Sequence, residues 1–295
     1  SGPHRVSVGV RVSPEVFFGI LQAWAFAVSL AIGSFLNVCI ARMPEDRSVV
    51  SPGSMCPSCG HKIRWYENIP VLSWVFLRAR CSACGSKISP LYPGVELLMG
   101  VLGLLLFRRL VPDLASVDAA HLTAWGVFTV FVAMQVANTF IDQKHRILPD
   151  QLTIYAAPFG VLAALLLSYL GYQGHLAINW QQSVVGALAG SGVLLLLIGG
   201  YWLVRRVQGM GFGDVKLLLA FGAFLGIWSV LPILMIGSLV GLAVGIPTML
   251  VKGQGMRLEL PFGPFLVAGA MVWVYFGTEL MAWWIPYGTL ASGGL

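Results

Sequence analysis

Two cysteine pairs and two aspartates are the residues of this 295-residue chain whose types and spacing could do chemistry. The cysteines stand as CPSC (Cys56, Cys59) and CSAC (Cys81, Cys84), a C-x2-C-x21-C-x2-C pattern. Each C-x2-C turn can put two thiolates on one ion, and two such turns complete a tetrahedral Zn²⁺ site. Four thiolates leave no open position for water, so the pattern favours a structural zinc over a catalytic one, with redox chemistry a weaker alternative. Cys39 stands apart and reads as small apolar packing.

Asp142 follows the run FTVFVAMQVANTFI and opens DQKHRILPD; Asp214 follows GMGFG and opens DVKLLLAFGAF. Gly209, Gly211 and Gly213 precede Asp214 at alternate positions and would let a peptide or a neighbouring helix approach its carboxylate. Asp214 is expected near a helix start, with Lys216 holding that end at the headgroups. Two carboxylates in hydrogen-bond range can share one proton, one acting as base on water and the other as acid toward a carbonyl. That chemistry needs no Ser, His or metal. From the residues alone a second reading carries equal weight: helix caps or loop charges facing water. Asp150, after Pro149, reads as such a cap. His145 reads as a surface residue. Glu96 is the fourth acid expected at a span end on this side.

The elements that must position these groups are membrane helices. The chain is 57% hydrophobic and 10% charged, far below the charge of a soluble domain. Apolar runs of span length fall near 16–40, 92–109, 120–141, 152–172, 183–204, 214–229, 231–251 and 262–285. The sixth and seventh are fused, and GIWSVLP (226–232) offers the break between them. Eight passes with both ends outside put Arg5, Arg11, Arg108 and Arg109 outside and the other fourteen of 18 basic residues inside, as the positive-inside rule prefers. The net charge of +6 follows from that bias and implies no nucleic-acid partner. The expectation is an all-α polytopic membrane protein of about eight transmembrane helices. It divides into a tail and first helix (1–41), a cytoplasmic four-cysteine zinc loop (42–91) and a membrane domain (92–295). Residues 1–12 and the closing ASGGL are set aside from the fold, and no cleavable signal peptide and no internal repeat is visible.

The segments GSFLNVCIARMP (33–44), the two cysteine pairs, WYENIPVLSW (65–74), ISPLYPGVE (88–96), IDQKHRILPD (141–150), GMGFGDVKLL (209–218) and LPFGPFL (260–266) together resemble the type IV prepilin peptidases, GxGD-type aspartic peptidases that also act as N-methyltransferases. The resemblance is collinear over nearly the whole chain. It implies catalytic Asp142 and Asp214, zinc on Cys56, Cys59, Cys81 and Cys84, and an active site at the cytoplasmic face of the bacterial inner membrane. It also implies prepilin or pseudopilin substrates cut after a Gly between a basic leader and an apolar helix, then methylation of the new N-terminus from S-adenosylmethionine. Acids near the site such as Asp150 or Glu96 are candidates to attract the leader, with a structural role an equal alternative for each. No Gly-rich methyltransferase fold is present; Trp65, Tyr66, Glu67 and Asn68 are candidates for cofactor or leader contact, or for packing the loop on the membrane domain. Gly211, Gly213 and Lys216 are the substrate-side candidates beside Asp214. The competing readings are a preflagellin-type GxGD peptidase, an ion-coupled transporter with intramembrane acids, and a metal-binding scaffold without catalysis. Neither the pilin served nor the oligomeric state is written in the sequence.

Overall fold

The computed structural model describes residues 13–206, 211–252 and 261–284. The set-aside ends, Gly209, and Arg5, Arg11 and Arg257 of the charge argument lie outside them. The elements are helices: α1 (Pro14–Arg42), α2 (Leu72–Phe76), α3 (Leu91–Leu110), α4 (Ala119–His145), α5 (Ala156–Tyr169), α6 (Trp180–Arg205), α7 (Phe212–Leu225), α8 (Ile227–Lys252) and α9 (Gly263–Trp284), with short 3-10 turns between some of them. In lipid every backbone N–H and C=O must find a partner within its own segment, and a helix meets that demand. Polar caps start several of them where the apolar runs begin. The Ser13 hydroxyl accepts from the Val16 N–H ahead of α1, the Asp118 carboxylate from the His121 N–H on α4, and Asn179 and Gln182 form a reciprocal capping box on α6.

Each of the eight expected spans is a helix. Seven are long and apolar enough to cross a membrane. α5 qualifies together with the turn before it, as the 20-residue stretch Asp150–Tyr169; the exception is α7, whose 14 residues reach only about 21 Å against roughly 30 Å of hydrocarbon. The fused run breaks at Gly226, whose φ of +76° favours glycine; Pro232 lies inside α8.

Burial sorts the bundle into inner and outer helices. In α4, 67% of the span window is buried, against 17% in α1. From Ala220 to Leu225 every residue of α7 is buried. Such packing in lipid relies on small residues that let backbones close in. A Cβ on Gly186 of α6 would stand 2.3 Å from the Gly222 carbonyl oxygen of α7, and one on Gly190 would stand 2.4 Å from that of Leu218. Successive helices alternate in direction. The C-terminal ends of α1 and α4 and the N-terminal ends of α3, α7 and α9 therefore share one end of the bundle, together with the 43–90 segment.

Candidate functional site

The four cysteines form two matching knuckles. In the first, the Cys56 N–H bonds the His61 carbonyl and the Gly60 N–H bonds the Cys56 carbonyl, both at 2.9 Å; in the second, Cys81–Ser86 and Gly85–Cys81 repeat the pattern at 2.9 Å. Gly60 and Gly85 turn the chain with φ of +72° and +71°. Single β-bridges, Met55 with Lys62 and Arg80 with Lys87, close the two loops. Met-Cys-x2-Cys-Gly-x-Lys-Ile and Arg-Cys-x2-Cys-Gly-x-Lys-Ile are thus copies of one unit. The expectation of no internal repeat is corrected at this scale; a copy this short is invisible to a search at the length of a domain. The four Sγ atoms lie within 4.8 Å of one another, with Cys56–Cys84 at 3.9 Å and Cys59–Cys81 at 4.0 Å. A tetrahedron of Zn–S bonds near 2.3 Å has edges of about 3.8 Å, so the cluster fits zinc.

Glu67 ties the knuckles together. Its carboxylate accepts from the Ser82 hydroxyl at 2.6 Å and the Arg64 N–H at 2.9 Å, and His61 Nε2 lies 3.2 Å away. These partners, Ser82 foremost, hold the Glu67 carboxyl well below the usual range, at about 2. His61 belongs to one knuckle and Ser82 to the other, so Glu67 is placed as an internal brace. Trp65 and Asn68 are exposed. Glu96 is buried in α3, and its Oε2 accepts from the Val71 N–H at 2.7 Å. It faces the four-cysteine module and is spent there, which does not fit attraction of a leader.

Asp142 and Asp214 come from the two innermost helices. Asp142 lies in the last turn of α4, where Arg146, in left-handed conformation, closes the helix on the Asp142 carbonyl at 2.9 Å. Asp214 lies in the first turn of α7, after the N-cap Gly211, where a negative charge suits the helix dipole. Their exposures are 6% and 7%. They are close enough to act on each other electrostatically, and Arg146 acts likewise on Asp142. Gly190 meets Leu218, one turn beyond Asp214. Asp214 is therefore level with the middle of α6, roughly 16 Å short of that helix's end.

Of the flanking candidates, Gly211 faces open space: a Cβ there would meet only Gly213 N, at 4.0 Å. Gly213 backs onto Leu148, at 3.0 Å from such a Cβ. Lys216 donates to the Asp150 carboxylate at 2.6 Å. That ion pair occupies both groups. The first turn of α7 is locked to the turn after α4, and Asp150, expected as a helix cap, serves as a cross-link between segments.

Three contributors carried no expectation. A Cβ on Gly263, at the start of α9, would stand 2.5 Å from Asp142 Oδ2; the signal was the LPFGPFL segment itself. Gln135 and Asn138 are wholly buried on α4 and bonded to each other at 3.1 Å, with Asn138 also donating to the Leu152 carbonyl. Their spacing from Asp142, seven and four residues, puts all three on one helix face. A cleft of about 310 Å³ opens between α1 and the 49–54 loop, lined by Phe35, Arg42, Val50 and Asn68 among others. Among the described residues no carboxylate lines it to meet a sulfonium and an ammonium. The Arg42 guanidinium is committed to the carbonyls of Ser48, Pro52 and Gly53. The cleft does not fit a methyl donor.

Comparison with known proteins agrees with this layout. The family model for the bacterial peptidase A24 N-terminal domain matches residues 27–110, and that for the type IV leader peptidase family matches 128–246. The chain is 37% identical over 297 residues to the prepilin leader peptidase/N-methyltransferase of Aeromonas hydrophila, covering 92% of this chain and 95% of that one. It is 39% identical over 248 residues to the protein of the same name in Myxococcus xanthus, with 83% and 69% covered. The counterpart from Dichelobacter nodosus is 36% identical over 280 residues, with 84% and 89% covered. No solved structure matches. With both halves of the chain matched in order, and the two aspartates and four cysteines assembled at one end of the bundle, the chain belongs to the type IV leader peptidase family.

Proposed function

We propose that this protein cleaves the leader from type IV prepilins or pseudopilins, after the Gly that precedes the apolar helix, and methylates the new N-terminus with S-adenosylmethionine. The observation that supports the reading is a pair of buried carboxylates on separate helices, Asp142 packed against Gly263 and Asp214 near enough to feel the Asp142 charge. One carboxylate takes the proton of the attacking water as the other gives a proton to the scissile carbonyl; the roles then reverse as the amine leaves. Burial keeps bulk water from competing, and Gly211, which faces open space, leaves room for the extended peptide. The excess of basic residues in the loops at this end supports a cytoplasmic orientation in an inner-membrane protein. A basic leader then stays in water while the apolar helix of the substrate stays in lipid.

Zinc on Cys56, Cys59, Cys81 and Cys84 supplies folding free energy to a module too small to have a core of its own. The module spans 42–91 and the peptidase part 92–295, with α1 packed on α3. The methyl donor supplies an electrophilic methyl group, and the new amine must be uncharged to receive it. Trp65 and Asn68 are the loop residues we assign to leader or cofactor contact; Glu67 we assign to the brace between the knuckles, and Lys216 to the pair with Asp150.

The test is to incubate the solubilised protein with a prepilin and follow both products by mass spectrometry, with and without S-adenosylmethionine. Release of the leader after Gly, and one added methyl only with the donor, are expected. An intact prepilin would refute the reading.

A further inference from the structure

Helix α2 is inside out. Its one polar side chain apart from the indole, Ser73, is buried and donates to the Tyr66 carbonyl at 3.0 Å. Leu72, Val75 and Phe76, spaced to share one helix face, are 53%, 57% and 80% exposed, and Ile69 just before them is 40% exposed. A module bathed in water would show the reverse pattern.

The depth of this face is fixed by one hydrogen bond. The Val71 N–H is held by Glu96 at 2.7 Å. Glu96 is the sixth residue of α3, a 20-residue candidate span. At 1.5 Å per residue α3 is about as long as the hydrocarbon is thick, so Glu96 lies roughly 8 Å inside its end. Val71, at the head of α2, must lie at that same level. Irregular backbone survives there only if its polar groups are satisfied. Several are paired locally: Leu72 N–H bonds the Pro70 carbonyl, Ser73 N–H that of Ile69, Val75 N–H that of Val71 and Leu77 N–H that of Ser73. The Trp74 indole donates to the Ile88 carbonyl at 3.2 Å. Exposed Arg64 and Arg78 flank the apolar face on either side in sequence. The 42–91 segment holds seven Lys and Arg against three acids, which suits an anionic leaflet.

We infer that residues 69–76 are a monotopic membrane anchor. The zinc module does not hang free in the cytoplasm but lies half-sunk in the inner leaflet, its Ile69–Leu72–Val75–Phe76 face among acyl chains and its knuckles in water. The anchor adds a second fixed point to the module, beyond its covalent joins to α1 and α3. It rests on α3 being a span and not on the chemistry of the aspartates.

The unsubstituted, zinc-loaded protein can be tested in vesicles of phosphatidylethanolamine and phosphatidylglycerol doped with a phospholipid that carries a diazirine on its acyl chain. After photolysis, peptide mass spectrometry should find lipid adducts on 69–77 as often as on the exposed Leu239 and Leu242 of α8, and none on the knuckle tip 82–86. Adducts on α8 with none on 69–77 would overturn the inference. So would adducts that vanish when saturating prepilin is added, since the face would then belong to the substrate helix.

Discussion

The four-cysteine module and the aspartate site lie at the same end of the molecule and are held by opposite means. The module is local. Two short copies of one knuckle, a carboxylate brace and four thiolates build it from residues 54–88, and its apolar side chains point outward. The aspartate site is assembled from distance. Its carboxylates are 72 positions apart, Gly263 comes from a third helix, and both carboxylates are buried. A local unit can be kept by an ion and a few hydrogen bonds. A site built from distant segments depends on how closely its helices approach, so its sensitive residues are glycines and small side chains that do no chemistry.

That contrast can be broken most severely by removing the ion. Cys59→Ser, or a strong chelator, should release the zinc and unfold the 42–91 segment, since structural zinc contributes on the order of 10 kcal/mol or more. Metal analysis and hydrogen exchange should show the loss confined to that segment, with α4 and α7 still protected. Global unfolding would mean the two regions are one unit. Next in size, Gly263→Ala puts a methyl against Asp142 Oδ2 and should cost cleavage roughly 100-fold, as misplacements of about 1 Å do, while zinc content stays unchanged. Cleavage rates within twofold of the parent would separate Gly263 from the site.

Lys216→Met unlocks the first turn of α7 from Asp150. An exposed pair of this kind is worth about 1 kcal/mol at most. Cleavage should therefore fall by no more than about tenfold, which a substrate titration would check. The smallest effect concerns Glu67. Its folded carboxyl is pushed down to about 2, so its stabilisation is whole above the ordinary carboxylate range and is lost as pH falls through about 2. Glu67→Gln should remove that part of the acid sensitivity of the module, read as zinc retention between pH 5 and 2 beside the parent. Identical acid profiles would show that the brace does not depend on the charge.

What was legible in the sequence follows the same division. The helices were readable because lipid demands long apolar runs, and the zinc pattern because ligand spacing is local. Asp142 and Asp214 were visible as charges at the ends of such runs, but nothing local distinguished a dyad from two caps; only the resemblance did. The shortness of α7 was hidden because its run fuses with the next, and Gly226 alone divides them. Lys216 and Asp150 each read plausibly alone, as headgroup anchor and cap, and only the fold shows them paired. Gln135 and Asn138 were concealed inside a run that reads as apolar, although their spacing from Asp142 was on view.

The central claim is that Asp142 and Asp214 together perform the cleavage. Its most direct test is leader release from a prepilin by Asp142→Asn and Asp214→Asn, each run beside methylation of a pre-cleaved pilin by the same preparation. Each variant should lose cleavage by at least about 100-fold while methylating the pre-cleaved pilin as the parent does. Cleavage at the parental rate by either variant would contradict the account.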